Sequence, residues 1–399
     1  MKEKIAEHKR YIAFIGFGLC MIVLGASDSL RGIFSAVFQN HFSLSTTELS
    51  LIVTVSYLGN LVFLLCGGNL LDHFNKKKVF LMTLGVWMIG ALLFVTSESY
   101  PLLLVGMFLC MGTSTLMNTT INILVPVIFA ASPGLIVNIL FFVQGIGTSG
   151  AQNIVGRAAV DIVNWKLVNG VLLGGALVSM LILFFFNMPQ VTQKEKESIS
   201  YKSILKNPAF IYCILIFGFY FIAEHGILNW FLLYGINGLG IQTNQAAVLL
   251  SIFFGGITVG RLIFAPVVQK LGVERSIIIF GGIATILYGI GIVGGSSTVV
   301  VLSSAGLAFS ILYPTLVLML QNYYEKECIA SATGMIISIA TLFDIGFNLV
   351  FGKVVDLIGM RLAFFILLGS MIMFFICLML FWKRAKQYKQ IEPEQAMKI

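Results

Sequence analysis

Twelve separate apolar runs constrain this chain more than any motif in it. Each is long enough to supply the roughly 20 residues, within a range of about 17–25, that a helix needs to cross a bilayer core. They cover 11–38, 49–71, 79–96, 101–129, 135–156 and 166–186, then 209–234, 245–267, 276–293, 298–323, 331–355 and 362–382. Inside hydrocarbon every backbone polar group must be satisfied within its own segment, so runs of this kind are helices. The rest of the composition agrees: 58% of the 399 residues are hydrophobic and 11% charged, where a soluble domain carries about a quarter charged residues. The expected fold class is an all-α integral membrane protein with twelve transmembrane helices. An even number of spans places both termini on one side.

The short breaks between the runs set the orientation. Lys2, Lys4, Lys9, Arg10, Lys76, Lys77, Lys78, Lys194, Lys196, Lys202, Lys206, Lys270, Arg275 and Lys326 share one side with the tail residues Lys383, Arg384, Lys386, Lys389 and Lys398. The opposite side holds only Arg157, Lys166, Lys353 and Arg361. Positive charge accumulates on cytoplasmic loops, so both termini are expected in the cytoplasm of a multi-pass protein of the plasma or inner membrane. The formal net charge of +8 therefore belongs to membrane topology and does not point to a nucleic-acid partner. Cys20, Cys66, Cys110, Cys213 and Cys377 lie within apolar runs at no paired spacing, which reads as core packing without disulfides or a zinc site. The first run starts basic and carries Gly25-Ala26-Ser27 as a spelling of a cleavage site. The apolar stretch before that site is too long for a signal h-region and continues past it, so it is read as a retained span.

The longest polar break divides the spans six and six. The resulting organisation is an N-terminal six-helix half at 1–188, a cytoplasmic linker at 189–208, and a C-terminal six-helix half with a cytoplasmic tail at 209–399. Self-similarity near an offset of 196 residues supports a parallel repeat. Leu84-Gly85 falls on Phe280-Gly281, and Leu173-Gly174 on Leu368-Gly369. Gly156-Arg-Ala-Ala-Val-Asp161 recurs one residue shorter as Gly352-Lys-Val-Val-Asp356. The loop from Asp72 to Lys78 overlies the one from Gln269 to Arg275, so Asn75 coincides with Gly272. Both residue types tolerate the left-handed backbone of a tight turn.

Twelve spans, a six-plus-six parallel repeat and a basic loop between spans 2 and 3 together resemble the major facilitator superfamily. Its signature in that loop is Gly-x-x-x-Asp-x-x-Gly-Arg-Lys, and this chain reads Gly68-Asn-Leu-Leu-Asp72-His-Phe-Asn75-Lys76-Lys77, with Asn75 for the usual glycine. The second copy keeps Gly260-Arg261 and Gly272 but has Gln269 where the first has Asp72. Within the superfamily the chain looks most like the fucose-permease type of sugar transporter. That likeness rests on Asp28 in span 1, Asn118-Thr-Thr-Ile-Asn122 in span 4, Ala223-Glu-His-Gly-Ile-Leu-Asn-Trp230 with Tyr234 in span 7, and Phe253-Phe-Gly-Gly-Ile-Thr-Val-Gly-Arg261 in span 8. Such permeases carry a membrane acid in span 1, another in span 4, and couple uptake to protons. Here the span 4 position is Asn118. Span 5 lacks the Gly-Pro signature of drug/proton antiporters, because Gly145-Ile-Gly-Thr-Ser-Gly150 is followed by Ala151-Gln152.

The polar residues inside the spans are the candidate site. Charges at that depth cost a few kcal/mol or more, and they face a protein interior or a water-filled cavity. Asp28 and Arg31 stand three residues apart on one face of span 1, with Ser35 and Gln39 continuing the stripe. Asp28 is either a proton carrier or the permanent partner of Arg31. Glu224 matches Asp28 under the repeat, and is a coupling acid, a hydroxyl acceptor, or a partner of His225. Asp344, on a face with Thr341 and Asn348, is a third proton-coupling candidate, or else pairs with Arg261. The substrate-binding candidates are Arg31, Asn118, Asn122, Gln144, Gln152, His225, Asn229, Trp230, Tyr234 and Asn348. Amides that donate and accept suit a polyhydroxylated ligand, although the same groups also serve as interhelical glue. Trp230 and Tyr234 would stack on a sugar, close the outer gate, or sit in an interfacial belt. Asp72, Lys76, Lys77 and Arg261 are gating candidates, with a solvated turn as the alternative for the loop residues.

Gly145 to Gly150 spells GxGxxG but lies within a membrane run with no strand before it, so no dinucleotide site is expected. The sequence also has no P-loop, HExxH or Cys/His cluster. The expectation is a monomeric secondary active transporter, not an enzyme. Its partners are protons, the lipid bilayer and a small polar solute such as a sugar, and it needs no cofactor beyond the proton gradient. Efflux of amphipathic drugs or lipid-like compounds is the alternative, because the 34 Phe residues fit it almost as well.

Overall fold

The computed structural model describes residues 7–129, 133–186, 201–324 and 329–396. Among them are twelve helices long and apolar enough to span a membrane, and no strand. In the first half they are α1 (Glu7–Ile33), α2 (Thr46–His73), α3 (Lys76–Thr96), α4 (Tyr100–Ile128), α5 (Pro133–Ala158) and α6 (Ile162–Phe185). In the second they are α7 (Ala209–Leu233), α8 (Thr243–Leu271), α9 (Val273–Val293), α10 (Val299–Phe309 continued by Leu312–Leu320), α11 (Ile329–Ile358) and α12 (Met360–Ala363 continued by Phe365–Ala396). The chain is a multi-pass membrane protein.

Several boundaries differ from the apolar runs, each for a local reason. The first run is divided at Phe34, after which a short helix, Ser35–His41, carries it onward. The tenth is divided between Phe309 and Leu312. The last extends well past the apolar run, to Ala396, as continuous helix. In the loop before α3 the expected left-handed turn is absent at Asn75, whose φ is −61°. Asn75 is instead the N-cap: its Oδ1 accepts from the backbone N–H of Lys78 at 3.2 Å, satisfying a donor that the first turn leaves free. Its repeat mate Gly272 does use the left-handed region, at φ 81°.

The repeat is visible in the packing. Within the first half α1 packs on α5 and α6, α2 on α4, and α3 on α4 and α6; each pairing recurs in the second half six helices later. The two main contacts between the halves, α2 with α11 and α5 with α8, exchange under the same operation. Most of the proposed linker at 189–208 lies outside the described residues. Its described end is a short helix, Tyr201–Lys206, after which Asn207 donates through Nδ2 to the Tyr323 carbonyl at 2.7 Å.

Helix alternation gives the bundle a basic face, with Lys76, Lys77, Lys78, Lys270 and Arg275, and a far face, where α1 ends and α2 begins. Hydrogen bonds join the halves between mid-bundle and the far face: Thr46 and Thr47 with Asp356, Arg31 and Tyr57 with Asn229, and Ser251 with Ser149. The bundle is thus tied shut at the far face. In the loop there, the exposed Glu98 accepts from Nζ of Lys166, and that bond and charge hold its carboxyl below the usual range.

Candidate functional site

The polar seam of α1 is positioned by close approach of α1 and α5. A Cβ on Gly25 would run into the carbonyl oxygen of Gln144, and one on Gly147 into that of Ile22. Only glycine permits backbones this near, as is usual where membrane helices pack through small residues. Thr148 fastens the crossing, donating through Oγ1 to the Gly25 carbonyl at 3.0 Å. With one face of α1 held against α5, Asp28 reaches α4.

There the hydroxyl of Ser114 donates to Oδ2 of Asp28 at 2.9 Å, while Oδ1 is buried with no hydrogen-bond partner. No ion pair joins Asp28 to Arg31 among the described contacts. Arg31, 3% exposed, points to the other half of the protein. Its Nε donates to Oδ1 of Asn229 at 2.7 Å, one terminal nitrogen donates to the Tyr57 hydroxyl at 3.2 Å, and the other to the sulfur of Met111. The guanidinium also lies 5.0 Å from the centre of the Tyr57 ring, within cation–π range. Asn229 donates in turn to the Tyr57 hydroxyl at 3.2 Å. Arg31 and Asn229 are therefore engaged with each other.

On the second half, Nδ1 of His225 lies 2.6 Å from Oδ2 of Asp344. The alternative pairing of Asp344 with Arg261 is not what the structure has; His225 on the adjacent α7 is nearer and takes the carboxylate. Oδ1 of Asp344 and Nε of Arg261 are buried without a hydrogen-bond partner. The imidazole is sandwiched between Tyr57 and Phe221, at centroid distances of 5.3 and 5.2 Å. Asn348 donates to the Asp344 carbonyl and accepts from the indole N–H of Trp230 at 2.8 Å, so Asn348 and Trp230 are bound within the second half. Tyr234 is stacked on Phe364 at 3.8 Å, also within that half. Both aromatics are buried, which excludes the interfacial-belt alternative for them.

Glu224 is half-buried on α7, beside His225. Asn118 and Gln144 are half-buried, and Asn122 is exposed. Gln152 has no exposed surface, and neither of its amide atoms finds a partner. Of the gating candidates, the side chain of Asp72 lies outside the described residues, and Lys76 is the first residue of α3. Lys77 closes the end of α6, donating through Nζ to the carbonyls of Phe184 and Phe186 at 2.7 Å each. That satisfies acceptors which a helix C-terminus leaves free.

The structure thus brings Asp28, Arg31, Asn229, His225 and Asp344 into one neighbourhood at the junction of the halves. Tyr57 joins them and was missed from sequence. Its only signal there was being the sole tyrosine of an apolar span.

A family model described as Major Facilitator Superfamily matches residues 17–342. Among curated proteins none matches. Several solved structures are similar. A D-xylose–proton symporter is 14% identical, with 94% of this chain and 97% of that chain covered and a TM-score of 0.77. The nucleoside transporter NupG is 15% identical, with 94% and 99% covered and a TM-score of 0.72. The fucose:proton symporter FucP of E. coli is 18% identical, with 94% and 99% covered and a TM-score of 0.66. At these identities the likeness is one of fold.

Proposed function

The chain belongs to the Major Facilitator Superfamily, and from that membership we propose that it carries a small, polar, sugar-like solute inward together with protons. The two halves rock about a mid-membrane site, opening it to one side and then the other. The observation that supports coupling most directly is Asp28, a carboxylate with one oxygen held by Ser114 and the other unpartnered, lacking an ion pair with its neighbour Arg31. A half-buried carboxyl in that setting, with one oxygen shielded from solvent, is able to exchange a proton when the cavity changes access. Glu224 and the His225–Asp344 pair supply further acid groups on the opposite wall, and the half-buried amides of Asn118 and Gln144 offer donors and acceptors to hydroxyls. With basic loops inside, both termini are cytoplasmic, the far face is the outside, and the observed state faces inward. No cofactor is required; the proton gradient drives accumulation, and one chain is sufficient for the cycle.

The second reading, efflux of amphipathic or lipid-like compounds, is favoured by one feature. An apolar groove of about 440 Å³ lies between α7, α11 and α12, lined by residues including Ile222, Phe343, Phe347 and Ile366.

The two are separated in proteoliposomes carrying an imposed pH gradient. Sugar symport predicts uncoupler-sensitive accumulation of at least one member of a labelled sugar panel, with alkalinisation of the outside medium when that sugar is added. Extrusion of amphipathic dyes with no response to any sugar would replace the uptake reading with the efflux one.

A further inference from the structure

The far face holds a contact between the halves that the site does not use. Asp356, near the end of α11, places both carboxylate oxygens on the start of α2 in the other half. Oδ1 accepts from the backbone N–H of Thr46 at 3.2 Å. Oδ2 accepts from the N–H of Thr47 at 3.0 Å and from its hydroxyl at 2.6 Å. Helix α2 already has its own cap. The hydroxyl of Ser45 accepts from the Glu48 N–H, and the Glu48 carboxylate accepts from the Ser45 N–H. A capping box of that kind leaves the next two N–H groups, those of Thr46 and Thr47, without partners in the helix. Asp356 satisfies those two, and its negative charge sits at the favourable end of the helix dipole.

One turn earlier on α11 the backbones themselves meet. A Cβ on Gly352 would run into the Thr46 carbonyl oxygen and lie 2.8 Å from Cβ and Oγ of Ser50. The repeat supplies an internal control. Asp161 is the sequence counterpart of Asp356, yet its carboxylate turns onto its own helix, accepting from the Asn164 N–H at 2.8 Å as the N-cap of α6. The counterpart contact between α5 and α8 has Gly156 against Ala247, and the N-cap of α8, Gln242, makes no side-chain cap. The bridging carboxylate therefore stands on one side of the pseudo-two-fold.

We propose that Asp356 is the latch of the far-face gate: supplied by one half as a second N-cap for a helix of the other, it holds that end shut and leaves α2 whenever the end opens. It is a positioning residue that contacts no solute. The role rests on alternating access and is independent of what is carried.

The test is solvent access to position 50, which has no exposed surface in the closed state. Ser50→Cys is introduced into a chain whose six native cysteines are replaced by serine, and maleimide labelling is followed on purified folded protein without solute. Asp356→Ala is expected to raise the labelling rate by at least about tenfold, in keeping with loss of a charge-assisted bond. Asp356→Glu should restore slow labelling, and Thr47→Val should give a smaller increase in the same direction. Asp161→Ala, which removes a cap within one half, should leave the rate unchanged. An unchanged rate in Asp356→Ala, or an equal rise in Asp161→Ala, overturns the latch. If Asp356→Ala does not fold, Thr47→Val decides alone, and an unchanged rate there overturns it. Because no solute is present, failure of the sugar-uptake reading leaves the labelling result standing.

Discussion

Nε of Arg31 donates to Oδ1 of Asn229 at 2.7 Å, and this bond joins α1 to α7 across the two halves. Its effect reaches back three residues. Because Arg31 is held by neutral partners in the other half and in α2 and α4, Asp28 is left to Ser114. No ion pair closes between Asp28 and Arg31 among the described residues.

Asn229→Ala should lower the thermal stability of the purified protein. A hydrogen bond to a charged group contributes about 1.5–3 kcal/mol, and its loss leaves the buried guanidinium short of an acceptor. A double-mutant cycle with Arg31→Met checks that the loss arises from this pair, since contacting residues are non-additive. Additive effects within about 0.5 kcal/mol would mean that the two residues act separately.

Breaking the His225–Asp344 pair should also be destabilising. Asp344 is buried beside a half-buried imidazole, and losing one partner of such a bond costs about 1–3 kcal/mol. Asp344→Ala is expected to lower the unfolding temperature, as Asn229→Ala does. Thermal unfolding followed by tryptophan fluorescence measures both on the same preparation, and an unchanged midpoint in Asp344→Ala would show that the 2.6 Å contact carries no stability.

Two glycines of α1 should separate folding from gating. Gly25 faces the Gln144 carbonyl within the first half, whereas Gly32 faces the Leu228 carbonyl of the second. Gly25→Ala forces α1 off α5 and should reduce stability. Gly32→Ala should leave each half intact but hold the far face open, raising maleimide access at Ser50→Cys. The two readouts are expected to move in these different variants; if both variants merely destabilise, the cross-half approach at Gly32 has no gating role.

The architecture was legible in the sequence because its cause is local. Bilayer thickness dictates run length, and the repeat appears as matched Gly and Asp positions on helices that pair alike in both halves. The acids and amides of the seam were also legible, as polar groups in apolar helices. Their partners were not. Nothing in the spacing of Asp28 and Arg31 reveals that one turns to α4 and the other to α7, since that depends on how Gly25 seats α1 against α5. Tyr57 was hidden for the same reason: a lone tyrosine in an apolar helix carries no pattern, and its importance comes from what two other helices bring to it. Asn75 shows a subtler limit. Its match to Gly272 pointed to a shared turn, but a residue that is able to cap a helix takes the capping geometry.

The proposal that Asp28 carries the coupled proton is tested most directly by Asp28→Asn. An amide keeps the shape and the bond to Ser114 but has no proton to exchange. In proteoliposomes the variant should lose pH-driven accumulation of the transported sugar while retaining counterflow exchange, which needs only the moving site. Accumulation that survives the substitution at the parent level would contradict the account and return Asp28 to a structural role.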